Sequence, residues 1–139
     1  MDKIRQIFGV LWQLPQFLVG WTLKWWYTRD CVCLLEDFRG VEAVYSSKMK
    51  GGIALGNVII LPRKYAGVFA ASTYIGKARN HEFGHCRQSR MLGWFYLPVI
   101  GLPSLCWAAA HSTFKGLSET DYYSFYTEKW ADKLGGVER

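Results

Sequence analysis

Two stretches of this 139-residue chain contain no Asp, Glu, Lys or Arg: residues 6–23, QIFGVLWQLPQFLVGWTL, and residues 91–114, MLGWFYLPVIGLPSLCWAAAHSTF. A helix needs roughly 20 apolar residues to span a bilayer, so both are long enough to interact with one. Neither is uninterrupted. Gln13, Pro15 and Gln16 stand in the middle of the first, and Pro98, Gly101 and Pro103 in the middle of the second. Trp12, Trp21, Trp25, Trp26 and Tyr27 line or flank one stretch, and Trp94, Tyr96 and Trp107 the other, as aromatic side chains do at a membrane–water interface. Lys3 and Arg5 precede the first apolar run, but its polar, proline-containing centre and the lack of a small-x-small site argue against a signal peptide. The expectation is a pair of membrane-associated or re-entrant segments, at 6–27 and 93–111. The competing reading is two buried core helices.

Between them lies NHEFGHCRQSR, with His81, Glu82 and His85 in the order His-Glu-x-x-His. Residues from about 73 to 92 have a helical pattern, closed by Gly93 as a C-cap. Positions four apart share a helix face, so His81 and His85 can offer two imidazoles to one metal ion. Zinc takes His nitrogens at about 2.0–2.1 Å, and a catalytic site uses three protein ligands with one position left for water. Glu82 would stand beside that water as general base. A third ligand is then required.

The last predicted helix, 119–134, supplies candidates. Ser118 and Asp121 give it a capping-box-like start, and Gly135-Gly136 stops it. Glu119 and Asp121 are rivals for the metal, but acids in a first helical turn are expected for capping. Glu128 is mid-helix among apolar residues, with Asp132 four positions on and on the same face. A His-Glu-x-x-His helix followed by a Glu-x-x-x-Asp helix resembles the gluzincin metallopeptidases. The preceding GGIALGNVIILP strand region makes the chain similar to the membrane gluzincins related to the CAAX and heat-shock membrane proteases. It is similar also to small bacterial membrane proteins that carry LWQLPQ near the start and TEKWADKLGG near the end. The resemblance implies Zn²⁺ held by His81, His85 and Glu128. It implies too that Asp132 orients one of the two imidazoles, the usual role of a carboxylate behind a metal-bound His.

The remainder reads as a small sheet over 31–62. CVCLLED and VEAVYSS are strand-like and separated by FRG, a hairpin signal, and GGIALGNVIILP follows. The expected fold is therefore α+β: a minimal zincin-like domain over 1–139, with a small antiparallel sheet packed on the two motif helices. The net charge of +6 is scattered rather than clustered, which gives nucleic-acid binding little support and suits an anionic membrane surface. Four cysteines without a pairing pattern suit free thiols in a reducing compartment.

The ligand set constrains topology. If the second apolar stretch crossed a bilayer, His85 and Glu128 would end about 30 Å apart. It must therefore turn back, and Gly101 and Pro103 in VIGLPSL are the expected break between two half-length helices. The function expected is a zinc metallopeptidase acting on peptide or protein substrates at the cytoplasmic membrane, with its site facing the cytoplasm. An extended substrate would lie along Gly52, Ile53, Ala54, Leu55, Gly56 and Asn57 by strand addition. His111 is the candidate oxyanion donor, because helical periodicity turns Tyr123 and Tyr126 away from Glu128. The alternative is a catalytically inactive, zincin-like membrane binding or immunity protein. Retention of Glu82 weighs against it.

Overall fold

The computed structural model describes residues 2–30, 33–67 and 73–139, and Cys31 lies outside them. The chain is α+β. Helices α1 (Asp2–Trp12) and α2 (Leu14–Thr28) precede strands β1 (Cys33–Phe38), β2 (Val41–Ser46), β3 (Ile53–Leu55) and β4 (Val58–Pro62). Helix α3 (Tyr74–Leu92) follows, then a 3₁₀ turn at Gly93–Phe95 and a π-helical turn at Leu97–Gly101. The chain ends with α4 (Leu102–Thr113), the short α5 (Lys115–Ser118), a 3₁₀ turn at Tyr122–Ser124 and α6 (Tyr126–Gly135).

The sheet has the order β1-β2-β4-β3 and is mixed rather than antiparallel as expected. β1 and β2 form the hairpin signalled by FRG, with Arg39 and Gly40 both left-handed (φ +56° and +79°). Such a turn matches the twist of the paired strands. β2 and β4 run parallel in the centre, and β3 pairs antiparallel with β4 at one edge. The physical reason for the parallel pair is burial on both faces. Val41, Ala43, Tyr45, Ile59 and Leu61 pack towards Phe83 and Cys86 of α3. Val44, Val58 and Ile60 pack towards Leu23 and Tyr27 of α2. Strands covered by helices on both sides are continuously apolar, which VIILP is.

The interruptions in the first apolar stretch have partners. The break between α1 and α2 falls at Gln13, and Pro15 sits in the first turn of α2, where its missing N–H costs nothing. Gln13 and Gln16 are buried against α3. Ser89 Oγ donates to Gln13 Oε1 (2.8 Å), and Gln16 Nε2 donates to Ser89 Oγ (3.1 Å) and to Gly93 O (2.7 Å). Outward from these contacts, Ile4, Ile7, Phe8 and Leu11 form an exposed apolar face of α1, and Leu18, Trp21, Trp25 and Trp26 are exposed on α2. Among the described residues, no helix is long and apolar enough to cross a membrane.

The second apolar stretch turns elsewhere than expected. Gly93, left-handed at φ +53°, ends α3 and redirects the chain. Gly101 and Pro103 do not break it: Gly101 is helical (φ −59°, ψ −53°) and Pro103 opens α4. Pro98 and Pro103 each remove a backbone donor, and the intervening turn is wound wide, with Leu102 N–H bonded to Leu97 O five residues back. The last helix also starts later than expected. Asp121 accepts from Tyr123 N and caps the 3₁₀ turn, so α6 begins only at Tyr126, after Phe125.

Helices α3 and α6 pack at backbone contact. A Cβ on Gly84 would lie 1.9 Å from Ala131 O, and one on Gly135 would lie 2.1 Å from Asn80 O. Gly84→Ala should therefore destabilise the protein by about 1–3 kcal/mol despite the better helix former, because neither backbone can yield cheaply. Gly116 in α5 has open space around it, so Gly116→Ala should be neutral or slightly stabilising. Thermal unfolding of the two variants checks this; equal melting temperatures would contradict the close crossing.

Candidate metal centre

The α3–α6 crossing sets His81 and His85 opposite Glu128 and Asp132, and all four are buried. Glu128 Oε2 lies 3.0 Å from His81 Nε2 and 3.4 Å from His85 Nε2. One ligand atom from each of the three residues falls within 4.8 Å of the others. Ligands about 2.05 Å from a tetrahedral zinc are about 3.3 Å apart, so the observed separations bracket the geometry zinc requires. Glu119 and Asp121, the rival candidates, are exposed and outside this cluster.

Each ligand is held from behind. His81 Nδ1–H donates to Asp132 Oδ1 (2.7 Å), and His85 Nδ1–H donates to Gln88 Oε1 (2.7 Å), whose own Nε2 donates to Thr127 O (3.0 Å). With both Nδ1 atoms acting as donors, the neutral imidazoles turn their Nε2 lone pairs towards the same carboxylate oxygen. Glu128 Oε1 accepts from Thr127 Oγ1 (2.9 Å) and from Ser104 of α4. Two lone pairs facing an anion demand a positive charge between them. Without a metal, a proton supplies it. Burial disfavours a charged His81, but its hydrogen bonds to Asp132 and Glu128 outweigh that and push its pKa up to about 9. Burial likewise opposes the Glu128 anion, and the bonds from His81 and His85 nonetheless hold its carboxyl far below the usual range. The donor set therefore fits a divalent cation of zinc's size and nitrogen–oxygen preference.

Glu82 faces a cavity of ≈740 Å³ that also opens onto His81, His85 and Glu128. It is buried against Gly52, and among the described residues no hydrogen bond reaches its carboxylate. Burial raises its pKa, partly countered by the nearby imidazoles. Gly52, Ile53, Ala54 and Leu55 line the same cavity. Gly56 and Asn57 do not, which corrects the expected substrate strand: they form the β3–β4 turn, where Gly56 is left-handed under the Phe17 ring. His111 lines the cavity too, but its Nε2 is engaged by Thr120 O (2.9 Å).

Tyr123 corrects a second expectation. It precedes α6 instead of lying within it, so helical periodicity does not govern its direction. Its ring packs edge-on against His81 at 5.3 Å, and it lines the cavity with Tyr122. Sequence reasoning also missed Gln88, Ser104 and Arg139. Gln88 was discoverable, being three residues after His85 on one helix face. Arg139 reaches back to Asp132 with two bonds (2.6 and 3.2 Å) and stacks on Tyr123, and no sequence pattern announces it. In comparisons of sequence and fold, no family model, no curated protein and no solved structure matches this chain.

Glu128→Ala should abolish stoichiometric zinc binding, whereas Glu119→Ala and Asp121→Ala should retain it. Asp132→Ala should weaken affinity about 10–100-fold. Metal must displace the proton that His81 holds below pH 9. Binding at pH 7 should thus release about one proton per zinc, and affinity should rise with pH up to that value. Calorimetry in buffers of different ionisation enthalpy measures the proton directly. Zinc retained by Glu128→Ala, or no proton release, would contradict the assignment.

Proposed function

We propose that the protein is a zinc-dependent peptidase working at a membrane surface. The observation that carries the reading is Glu82: a carboxylate with no hydrogen bond among the described residues, open to a cavity beside His81, His85 and Glu128, which could hold a metal ion. A purely structural metal site has no use for it. His81, His85 and Glu128 would hold the metal, which when bound polarises a carbonyl and lowers the pKa of water towards ~7. Glu82 takes a proton from the attacking water and returns it to the leaving amine, and its raised pKa suits both directions of transfer. An extended substrate lies beside Gly52–Leu55. Tyr96 already donates to Ala54 O (3.1 Å), so main-chain pairing is confined to the start of β3. Tyr122 faces the cavity, and burial together with the Glu128 and Glu82 charges keeps its phenol protonated as an oxyanion donor. The motif helix α3, the helix α6 that brings Glu128 and the short edge strand β3 support a zincin-type reading of this site.

Exposed apolar side chains support placement on a bilayer rather than across it. Ile4, Phe8 and Leu11 of α1, Trp25 and Trp26 of α2, and Trp94 and Phe95 beyond α3 are all exposed. Arg29 and Lys48 lie over the Trp25 and Trp26 rings, pairing cations with interfacial aromatics. Free Cys33, Cys86 and Cys106 favour the cytoplasmic face.

Glu82→Gln should keep zinc and lose turnover by several orders of magnitude. Gly52→Ala is the sharper test. Gly52 is exposed and its backbone is unstrained, yet a Cβ there would lie 2.2 Å from Glu82 Oε1. That variant should fold and bind zinc normally while kcat falls at least ~10-fold, through displacement of the base. Full activity in either variant would refute the role of Glu82. On the membrane side, sedimentation with anionic vesicles should be salt-sensitive, and Trp25→Ser with Trp26→Ser should weaken it about 10-fold or more. Unchanged partitioning of that double variant would exclude this face.

A further inference from the structure

The cavity wall divides by chemistry. Helices α3 and α6 and the Tyr122–Ser124 turn bring the imidazoles, the carboxylates and the phenols of Tyr74, Tyr122 and Tyr123. Helix α2, the π turn and the start of α4 bring Val19, Leu23, Leu97, Leu102, Leu105 and Ala108. Ser104 on that side is bonded to Glu128, and His111 and Ser112 lie further along α4. Val19, Leu102 and Leu105 line the cavity yet are 42%, 60% and 63% exposed, so they form its rim. Leu23 and Leu97 lie deeper, packed with Leu55, Tyr96 and Ile100.

Three aliphatic side chains left in water at the edge of a reaction cleft favour any apolar group that covers them. The charge pattern agrees. Lys50 is the only Lys or Arg among the described residues lining the cavity, and it stands beside Gly51 and Gly52 in the β2–β3 loop, on neither α2 nor α4. A charged side chain placed among Val19, Leu102 and Leu105 would lose part of its hydration and find no ionised partner among the described cavity-lining residues of α2 and α4. Main-chain pairing cannot supply the selectivity, because β3 has three residues and the Ala54 carbonyl is engaged by Tyr96.

We propose that this α2–α4 side of the cavity is a specificity subsite for a large aliphatic or aromatic side chain next to the scissile bond. The substrate class is then polypeptide segments with a bulky apolar residue at the cleavage point. The inference rests on the peptidase reading of the metal site, and the test separates the two. Two end-blocked octapeptides, identical except for Phe or Ser at one central position, are titrated by fluorescence anisotropy into the zinc-loaded Glu82→Gln protein. Hydrolysis of the same pair by the unmodified protein is followed separately. The Phe peptide should bind ~10–100-fold more tightly. Leu102→Ser with Leu105→Ser should cut that ratio to within about threefold while zinc content and melting temperature stay unchanged, since both residues are exposed. Leu18→Ser, exposed on α2 but off the cavity, should preserve it. A Phe preference that depends on Leu102 and Leu105 without hydrolysis by the unmodified protein would uphold the subsite and remove the peptidase reading. Equal binding, no binding of either peptide, or a preference indifferent to the double variant would overturn the subsite, whether or not cleavage occurs.

Discussion

Where a side chain would begin at residue 84, the structure has the carbonyl oxygen of Ala131. This contact between α3 and α6 carries much of the rest. Two helices that touch at the backbone cannot rotate or slide without collision, so the faces they turn towards each other are set. His81 and His85 are on one of those faces, and Glu128 and Asp132 on the other. A larger interhelical distance would leave the imidazoles and carboxylates buried but apart, each with its desolvation uncompensated. Gly135 repeats the arrangement near the start of the motif, against Asn80. The site is thus a property of a helix pair, and the sheet serves as the platform under α3.

The apolar segments complete that platform. Gln13 and Gln16 look anomalous within their stretch, but they bind Ser89 and Gly93 at the far end of the motif helix. The second stretch contributes Ser104 to Glu128 from the opposite side. The first segment therefore presents one face to the motif helix and the second one to Glu128, and both leave another apolar face outside. Helix α2, proposed to rest on lipid through Trp25 and Trp26, also supplies Val19 to the rim of the cavity, which would bring substrate access close to that surface.

Much of this was legible in the sequence, for identifiable reasons. The α3 limits followed from periodicity and Gly93, the hairpin from FRG, and the meeting of His81, His85 and Glu128 from the two motifs and the resemblance they carry. The π turn was not legible. A wide turn between Pro98 and Pro103 shifts everything after it by about 100° relative to an α-helix, and that phase is what aims Ser104 at Glu128. The parallel pairing of β2 with β4 depends on long-range packing of α2 on the sheet, which no local pattern contains. Tyr123 was misdirected because Asp121 caps a 3₁₀ turn instead of α6, and an error of a few residues in a helix start reverses a predicted direction. Asp132 could be placed behind an imidazole by the resemblance, but Arg139, which braces it, comes from a segment without periodicity.

The central claim is that His81, His85 and Glu128 form a zinc site with an open position. X-ray absorption at the zinc edge of the protein, purified without added chelator, addresses it directly. The account predicts four-coordinate zinc at about 2.0–2.1 Å with two imidazoles, oxygen ligands for the remainder and no sulfur. A sulfur shell near ~2.3 Å, a single imidazole, or protein that takes up no zinc when it is supplied would contradict it.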